Sequence, residues 1–373
     1  MLQALESDRV LVAKTDAQIR KIEAEISQLE DAEQVRALKD SIPVLHSSKN
    51  PAQQRLDLYK YPVLTLPNEI ISDIFVHFLP TYPEPPPYFG ELSPTTLTHI
   101  CRQWREIALT TPALWRAIDL RGFTGELASL APQWLERSGC LPLSIRAAES
   151  ELDYYDDFPS ISGILIPHRA RWEQLDLNLD RPEHLEVLDG PLPLLRTLSV
   201  YLGDRLENPL LLQTVPLLRT VVLDDYGQPS LILPWAQLTS LTLRCIYPAE
   251  CVSILRQTQN LVNCDVKIWA AQLPTGRLAD LTLSRLETLV FERNSDGVWS
   301  DFTQLLIAPA LRSLKIREDL LGQPDPIASL NSFVLKSGCT LNELRIIRAS
   351  IDEAVYRKGF PSIPLVHVSL VGR

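Results

Sequence analysis

Glycine is scarce in this chain, 14 residues among 373. A doubly wound nucleotide-binding fold advertises a glycine-rich turn after its first strand, and neither that turn nor the P-loop pattern occurs. The six histidines, His46, His77, His99, His168, His184 and His367, are dispersed, with no H-E-x-x-H and no carboxylate–histidine cluster at metal-ligand spacing. The hydrolase elbow G-x-S-x-G is missing too. Six cysteines (Cys101, Cys140, Cys245, Cys251, Cys264 and Cys339) form no C-x-x-C pair and have no histidine at zinc-finger spacing, so they read as small buried apolar residues in a reducing compartment. No segment offers about 18 continuous apolar residues. The first residues carry Glu6, Asp8, Arg9 and Lys14 rather than the basic start and apolar run of a signal peptide. An excess of basic charge is also lacking: a net charge of -10 and a pI near 5.2 argue against broad binding to nucleic acid or anionic membrane. The expectation is a non-catalytic protein with no metal and no cofactor, cytoplasmic and/or nuclear.

What is present divides into regions. With 45% hydrophobic and 22% charged residues, the composition is that of an ordinary folded protein with room for more than one domain. From Leu5 to Leu45, Leu5, Val12, Ile19, Ile22, Ile26 and Leu29 fall on a heptad seam that weakens at Asp8 and Thr15 and resumes out of phase at Val35, Leu38, Ile42 and Leu45. This predicts a helical arm over residues 1–46, either a coiled coil or helical hairpin, or a lone surface helix. Pro43 and the polar run from His46 to Gln54 end it, leaving 47–61 as a linker.

Residues 62–120 form a separate unit. Pro67 suits a first helical turn, Asn68, Glu69 and Asp73 complement the positive end of its dipole, and Ile70, Ile71, Ile74, Phe75 and Phe78 supply the apolar face. Pro80 to Gly90, with five prolines, predicts an extended surface loop. Ser93–Pro94 then restarts a helix along which Leu97, Ile100, Cys101, Trp104 and Ala108 recur, and Thr111–Pro112 caps a third that reaches Trp115. So short a unit cannot bury all these apolar residues within itself. Some must face a partner or the rest of the chain.

Beyond it, the pattern apolar-x-x-apolar-x-apolar recurs from Trp115, Cys140, Trp172, Leu195, Leu218, Leu238, Leu261, Leu286, Leu311, Leu341 and Leu365. One match means little, but the ten intervals between 115 and 365 average 25 residues. That period indicates leucine-rich repeats, each laying one strand beside the last. The fold class expected is α plus α/β solenoid: helical arm, three-helix module, and a horseshoe with a parallel sheet over 121–373. Outer helices are expected over Leu127–Arg137, Ala249–Gln257, Ser300–Ile307 and Ile327–Lys336. A conventional α/β domain with scattered strands, and with it an enzyme, is the competing reading.

The sequences LPNEI, IIxxIF, CRQWR and PALW resemble the F-box, particularly the variety found in large fungal families. The resemblance implies a substrate receptor of an SCF-type ubiquitin ligase, docking on a Skp-family adaptor and through it a cullin, with the downstream repeats selecting an unknown target protein. Carried onto this chain, Leu66, Pro67, Ile70, Ile74, Phe75, Pro112, Leu114 and Trp115 are the adaptor-binding candidates, and Cys101 and Trp104 the core of the module. The loop from Pro80 to Gly90 is longer than in the shortest F-boxes. The alternative is a leucine-rich-repeat binding scaffold unconnected with any ligase. On the strands, alternate residues point away from the core and would line a concave face. There Arg244, Lys267, Lys315, Arg317 and Arg345 suggest recognition of an acidic or phosphorylated segment, against the plainer reading of a solvated face.

Overall fold

A computed structural model describes residues 2–27, 32–59, 66–121, 130–149, 158–203, 209–212, 214–227, 231–269, 279–293, 302–321 and 325–370. Helices α1 (Leu2–Ile26) and α2 (Ala32–Tyr59) lie antiparallel, tied by Lys49 to Asp16 at 2.6 Å and Arg55 to Asp8 at 2.7 Å. The weak point of the seam at Thr15 is satisfied locally, its hydroxyl donating to the Leu11 carbonyl at 2.8 Å. Of the two arm readings, the hairpin is the one seen. The expected linker is not: α2 runs through both Pro43 and Pro51. Each proline removes a bond to the carbonyl four residues back, but Pro43, Pro51, Lys39 and Ser47 are all exposed, so the freed carbonyls face water and the helix continues.

The second unit contains α3 (Asn68–Phe78), α4 (Pro94–Leu97) and α5 (Arg102–Leu109), closed by a 3-10 turn at Pro112–Leu114. Ser93 caps α4, its side chain accepting from the Thr95 N–H. The single helix expected from Ser93 to Ala108 is split, because Cys101 turns extended (φ -155°) and its Sγ accepts the Trp104 N–H, starting α5 anew. Ile100 falls in the break and is 55% exposed.

Eleven strands then form one parallel sheet in sequence order: β1 (Ala117–Asp119), β2 (Leu143–Ala148), β3 (Trp172–Leu179), β4 (Thr197–Leu202), β5 (Thr220–Gly227), β6 (Ser240–Ile246), β7 (Asn263–Ile268), β8 (Thr288–Arg293), β9 (Ser313–Arg317), β10 (Glu343–Ala349) and β11 (Leu365–Leu370). Each of the eleven sequence runs leads into one of them. Register puts Ile118, Ile145, Leu175, Leu198, Val221, Leu241, Cys264, Leu289, Leu314, Leu344 and Val366 in a single inward row. None of the eleven is more than 2% exposed. Returning segments cover that row, among them helices Ala131–Arg137, Pro248–Leu255, Phe302–Leu305 and Pro326–Ser337 at the four expected places, and two more at Phe158–Leu165 and Glu353–Gly359. Ile71, Phe75, Leu97, Leu114 and Trp115 belong to the same hydrophobic cluster as the strands, so the helical unit and the sheet share one core.

The proline-rich segment is not a free loop. It lies as a strap across the outward side chains of the first strands: Ser144 Oγ donates to the Pro83 carbonyl at 2.7 Å, Arg146 grips both Glu84 oxygens at 3.1 Å, and Tyr82 Oη donates to Glu173 at 2.8 Å. Tyr88 packs its ring 4.7 Å from that of Trp134. Among the described residues no helix is long and apolar enough to cross a membrane.

Candidate functional site

Helix α3 carries apolar residues on two sides. Ile71 and Phe75 point inward, 0% and 1% exposed, and Phe75 meets the Trp104 ring edge-on at 4.8 Å. Ile70, Ile74 and Phe78, spaced four apart, run along the other side and remain 46%, 44% and 39% exposed, and Leu66, just before the helix, is 36% exposed. Three large apolar side chains in line on one helix face, with a fourth exposed just before it, are an unfinished packing surface. Pro67, next to them in sequence, is exposed, as is Pro112, whose Pro112–Leu114 turn packs against α3.

The adaptor-binding candidates therefore divide. Leu66, Pro67, Ile70, Ile74 and Pro112 are accessible, whereas Phe75, Leu114 and Trp115 face inward and are corrected to core residues. Leu114 is 1% exposed and Trp115 0%. Trp115 donates its indole N–H to the Ala108 carbonyl at 2.8 Å and stands edge-on to Trp134 at 5.1 Å, which locks the helical unit onto the first repeat of the sheet. Cys101 and Trp104 are half-buried, one as the cap of α5 and the other as the partner of Phe75. Phe78 extends the exposed stripe by one turn. Its i+4 spacing from Ile74 was the signal in the sequence.

On the sheet, the basic candidates do not form a bare basic patch. Arg244 lies 3.9 Å from Asp224, Lys315 2.7 Å from Glu292 and Arg345 2.6 Å from Glu343. Lys267 stands between Arg244 and Glu292 in the register. Arg317 is corrected outright: its side chain is 6% exposed and bonds Asp319 at 2.6 Å, with Arg293 held on the same carboxylate at 2.7 Å. A sheet brings neighbouring strands within about 5 Å, so acids and bases far apart in sequence neutralise one another there. Upstream along the same strands, Thr197, Ser199, Tyr201, Thr220, Val222, Ser240 and Thr242 give the outward face of β4 to β6 an uncharged stretch that ends at Asp224 and Arg244.

One carboxylate–histidine pair does form, although the sequence separates its members by 35 residues: Glu149 Oε1 lies 2.5 Å from His184 Nδ1, under the Phe158 ring. The other Glu149 oxygen accepts the Arg181 N–H at 3.2 Å, so the pair fastens a turn. Among the described residues no group of histidine, cysteine, aspartate or glutamate is placed to hold a metal. Cys101, Cys140, Cys251, Cys264 and Cys339 are free thiols. Cys251 and Cys264 are buried, and burial pushes the Cys251 thiol up to about 12, while Cys140 is exposed and departs from the expectation of burial. The acidic stretch after Glu149 lies outside the described residues.

The F-box-like family model matches residues 63–121, which span α3 to β1. No curated protein matches the chain. The region with the exposed helical stripe is thus an F-box-like domain, a module of protein interaction that typically binds Skp-family adaptors.

Proposed function

We propose that this F-box-like protein is the substrate-recognition subunit of an SCF-type ubiquitin ligase, its F-box-like domain docking on a Skp-family adaptor held by a cullin, and its sheet, as a leucine-rich-repeat horseshoe, binding the target. The observation that carries the reading is the stripe Ile70, Ile74 and Phe78, left open on a helix that packs Ile71 and Phe75 inward, with Leu66 exposed just ahead of it. A standard protein interface buries about 1,600 Å² in total, and anchors of this kind supply most of its energy. The repeating period of about 25 residues, with strand order following sequence order, supports the leucine-rich-repeat part. No chemistry is required of the chain: holding the target near the ubiquitin donor raises its effective concentration. The core shared by the domain and the sheet suits that task, since it fixes one against the other.

The test is co-purification with a Skp-family adaptor, comparing the parent chain with an Ile70→Asp, Ile74→Asp double variant. Retention by the parent and loss by the variant supports the reading. Equal retention of both, or of neither, returns the chain to the alternative of a leucine-rich-repeat scaffold independent of any ligase.

A further inference from the structure

Where the F-box-like domain, the proline-rich strap and β1 meet, the surface folds in to a cleft of about 340 Å³. That is the low end of the ~300–1,000 Å³ range of small-molecule sites. Val76, Leu79, Pro86 and Ala113 make its walls apolar, and Tyr82 and Arg116 add polar groups, as do His77, Thr81 and Glu84, the last with both carboxylate oxygens held by Arg146. Arg116 is the anomaly. Its guanidinium stacks 3.8 Å from the centre of the Tyr82 ring, its Nε is buried with no hydrogen-bond partner, and among the described residues no carboxylate pairs with it. The acids bonded to the strap are engaged elsewhere: Glu173 accepts from Tyr82 and Arg196, and Glu84 from Arg146. A guanidinium stays charged at any physiological pH, and a half-buried charge without a counter-ion is costly. Fixed positive charge beside four apolar side chains defines the complementary molecule: an anion at one end, a small greasy body at the other.

We propose that this cleft binds a small amphipathic carboxylate, its acid group on Arg116 and a body about the size of one aromatic ring against Val76, Leu79 and Pro86. The planar fork of arginine matches a carboxylate, and the apolar walls disfavour a free, strongly hydrated phosphate. A ligand there touches the domain, the strap and the first strand together, so it stabilises their junction by mass action. The proposal stands apart from the ubiquitin-ligase reading.

Isothermal titration calorimetry and thermal unfolding of the full chain test it, with benzoate and 4-phenylbutyrate as probes and benzamide and inorganic phosphate as controls. The expected result is saturable binding of both acids with Kd on the order of 1 mM, at least tenfold weaker binding of benzamide, and none of phosphate. Arg116→Gln should weaken the acids at least tenfold. Ala113→Trp, which fills the cleft and keeps Arg116, should abolish their binding while circular dichroism confirms an unchanged fold. Affinity unaffected by both substitutions, phosphate binding as well as benzoate, or no saturable binding of any probe overturns the proposal. If the acids fail to bind while Arg116→Gln weakens capture of a Skp-family adaptor, the cleft belongs to an acidic side chain of that partner and the small-ligand assignment falls.

Discussion

The sheet and the F-box-like domain handle apolar residues in opposite ways. Along the sheet, the inward row from Ile118 to Val366 is covered throughout, at most 2% exposed at any strand, and the outward face is mainly hydroxylated or charged, with single apolar residues such as Val222 among them. Along α3, apolar residues occupy both sides, and only Ile71 and Phe75 are fully covered by the chain itself. A region that completes its own packing needs no second polypeptide for stability. A region that stops halfway has its remaining surface free for recognition. The boundary between the two is Trp115, the last residue of the domain's closing segment and the first of the repeat pattern.

That boundary gives the largest expected effect. Trp115→Ala removes a fully buried ring and an indole hydrogen bond, and should cost about 3–5 kcal/mol of unfolding free energy by chemical denaturation. Because one core spans both regions, a single cooperative transition should shift. Separate transitions for the domain and the sheet, with only one displaced, would break the view of a shared core.

The second expectation sharpens the contrast between the two sides of α3. Ile70→Asp with Ile74→Asp changes exposed positions only, so stability should move by no more than about 0.5 kcal/mol. Adaptor affinity should fall at least 100-fold, about 2.7 kcal/mol, since two apolar anchors become unpaired charges in the interface. A loss of stability as large as that of Trp115→Ala would mean that the stripe packs on the chain itself.

The strap offers a smaller effect. Ser144→Ala deletes the hydroxyl bond to the Pro83 carbonyl and should cost about 1 kcal/mol, with faster amide exchange confined to residues 80–90. No change in exchange there would show that the strap is held by Arg146 and Tyr82 alone.

How much of this was legible beforehand follows from the range of each interaction. The eleven strands were readable because the spacing of Leu195 and Leu198, repeated at Leu311 and Leu314, is a local pattern copied along the chain. The F-box-like domain was readable from LPNEI and PALW for the same reason. Which apolar residues stay open was not: Phe75 and Ile74 are neighbours in sequence, and the covering of one comes from residues distant in sequence, Trp104 among them. The strap was also hidden, because its partners Ser144, Arg146 and Glu173 lie 61 to 91 residues downstream. The same limit applies to charge. Arg244 to Arg345 looked like a basic drift because Asp224, Glu292 and Glu343, although near in space, sit on other strands or the wrong side of a one-dimensional count.

The smallest effect tests whether that outward charge is balanced. Asp265 stands in the outward row of β7, and burial, followed by repulsion from Glu292, raises its carboxyl pKa despite Arg244, Lys315 and Lys267 nearby. A carboxyl raised on folding penalises the folded state while it is ionised. The penalty is fully present above the folded pKa, shrinks as pH falls through it, and is gone below the unfolded value, near 3.9. Asp265→Asn should therefore stabilise the chain slightly at pH 7, by less than about 0.5 kcal/mol at a position that is half-buried and still screened by water. The gain should vanish by about pH 3. Urea midpoints at the two pH values measure it. If the substitution destabilises the chain at pH 7, Asp265 is a required counter-ion, the bases around it are in excess, and the outward face from β6 onward regains the positive character that its ion pairs otherwise cancel.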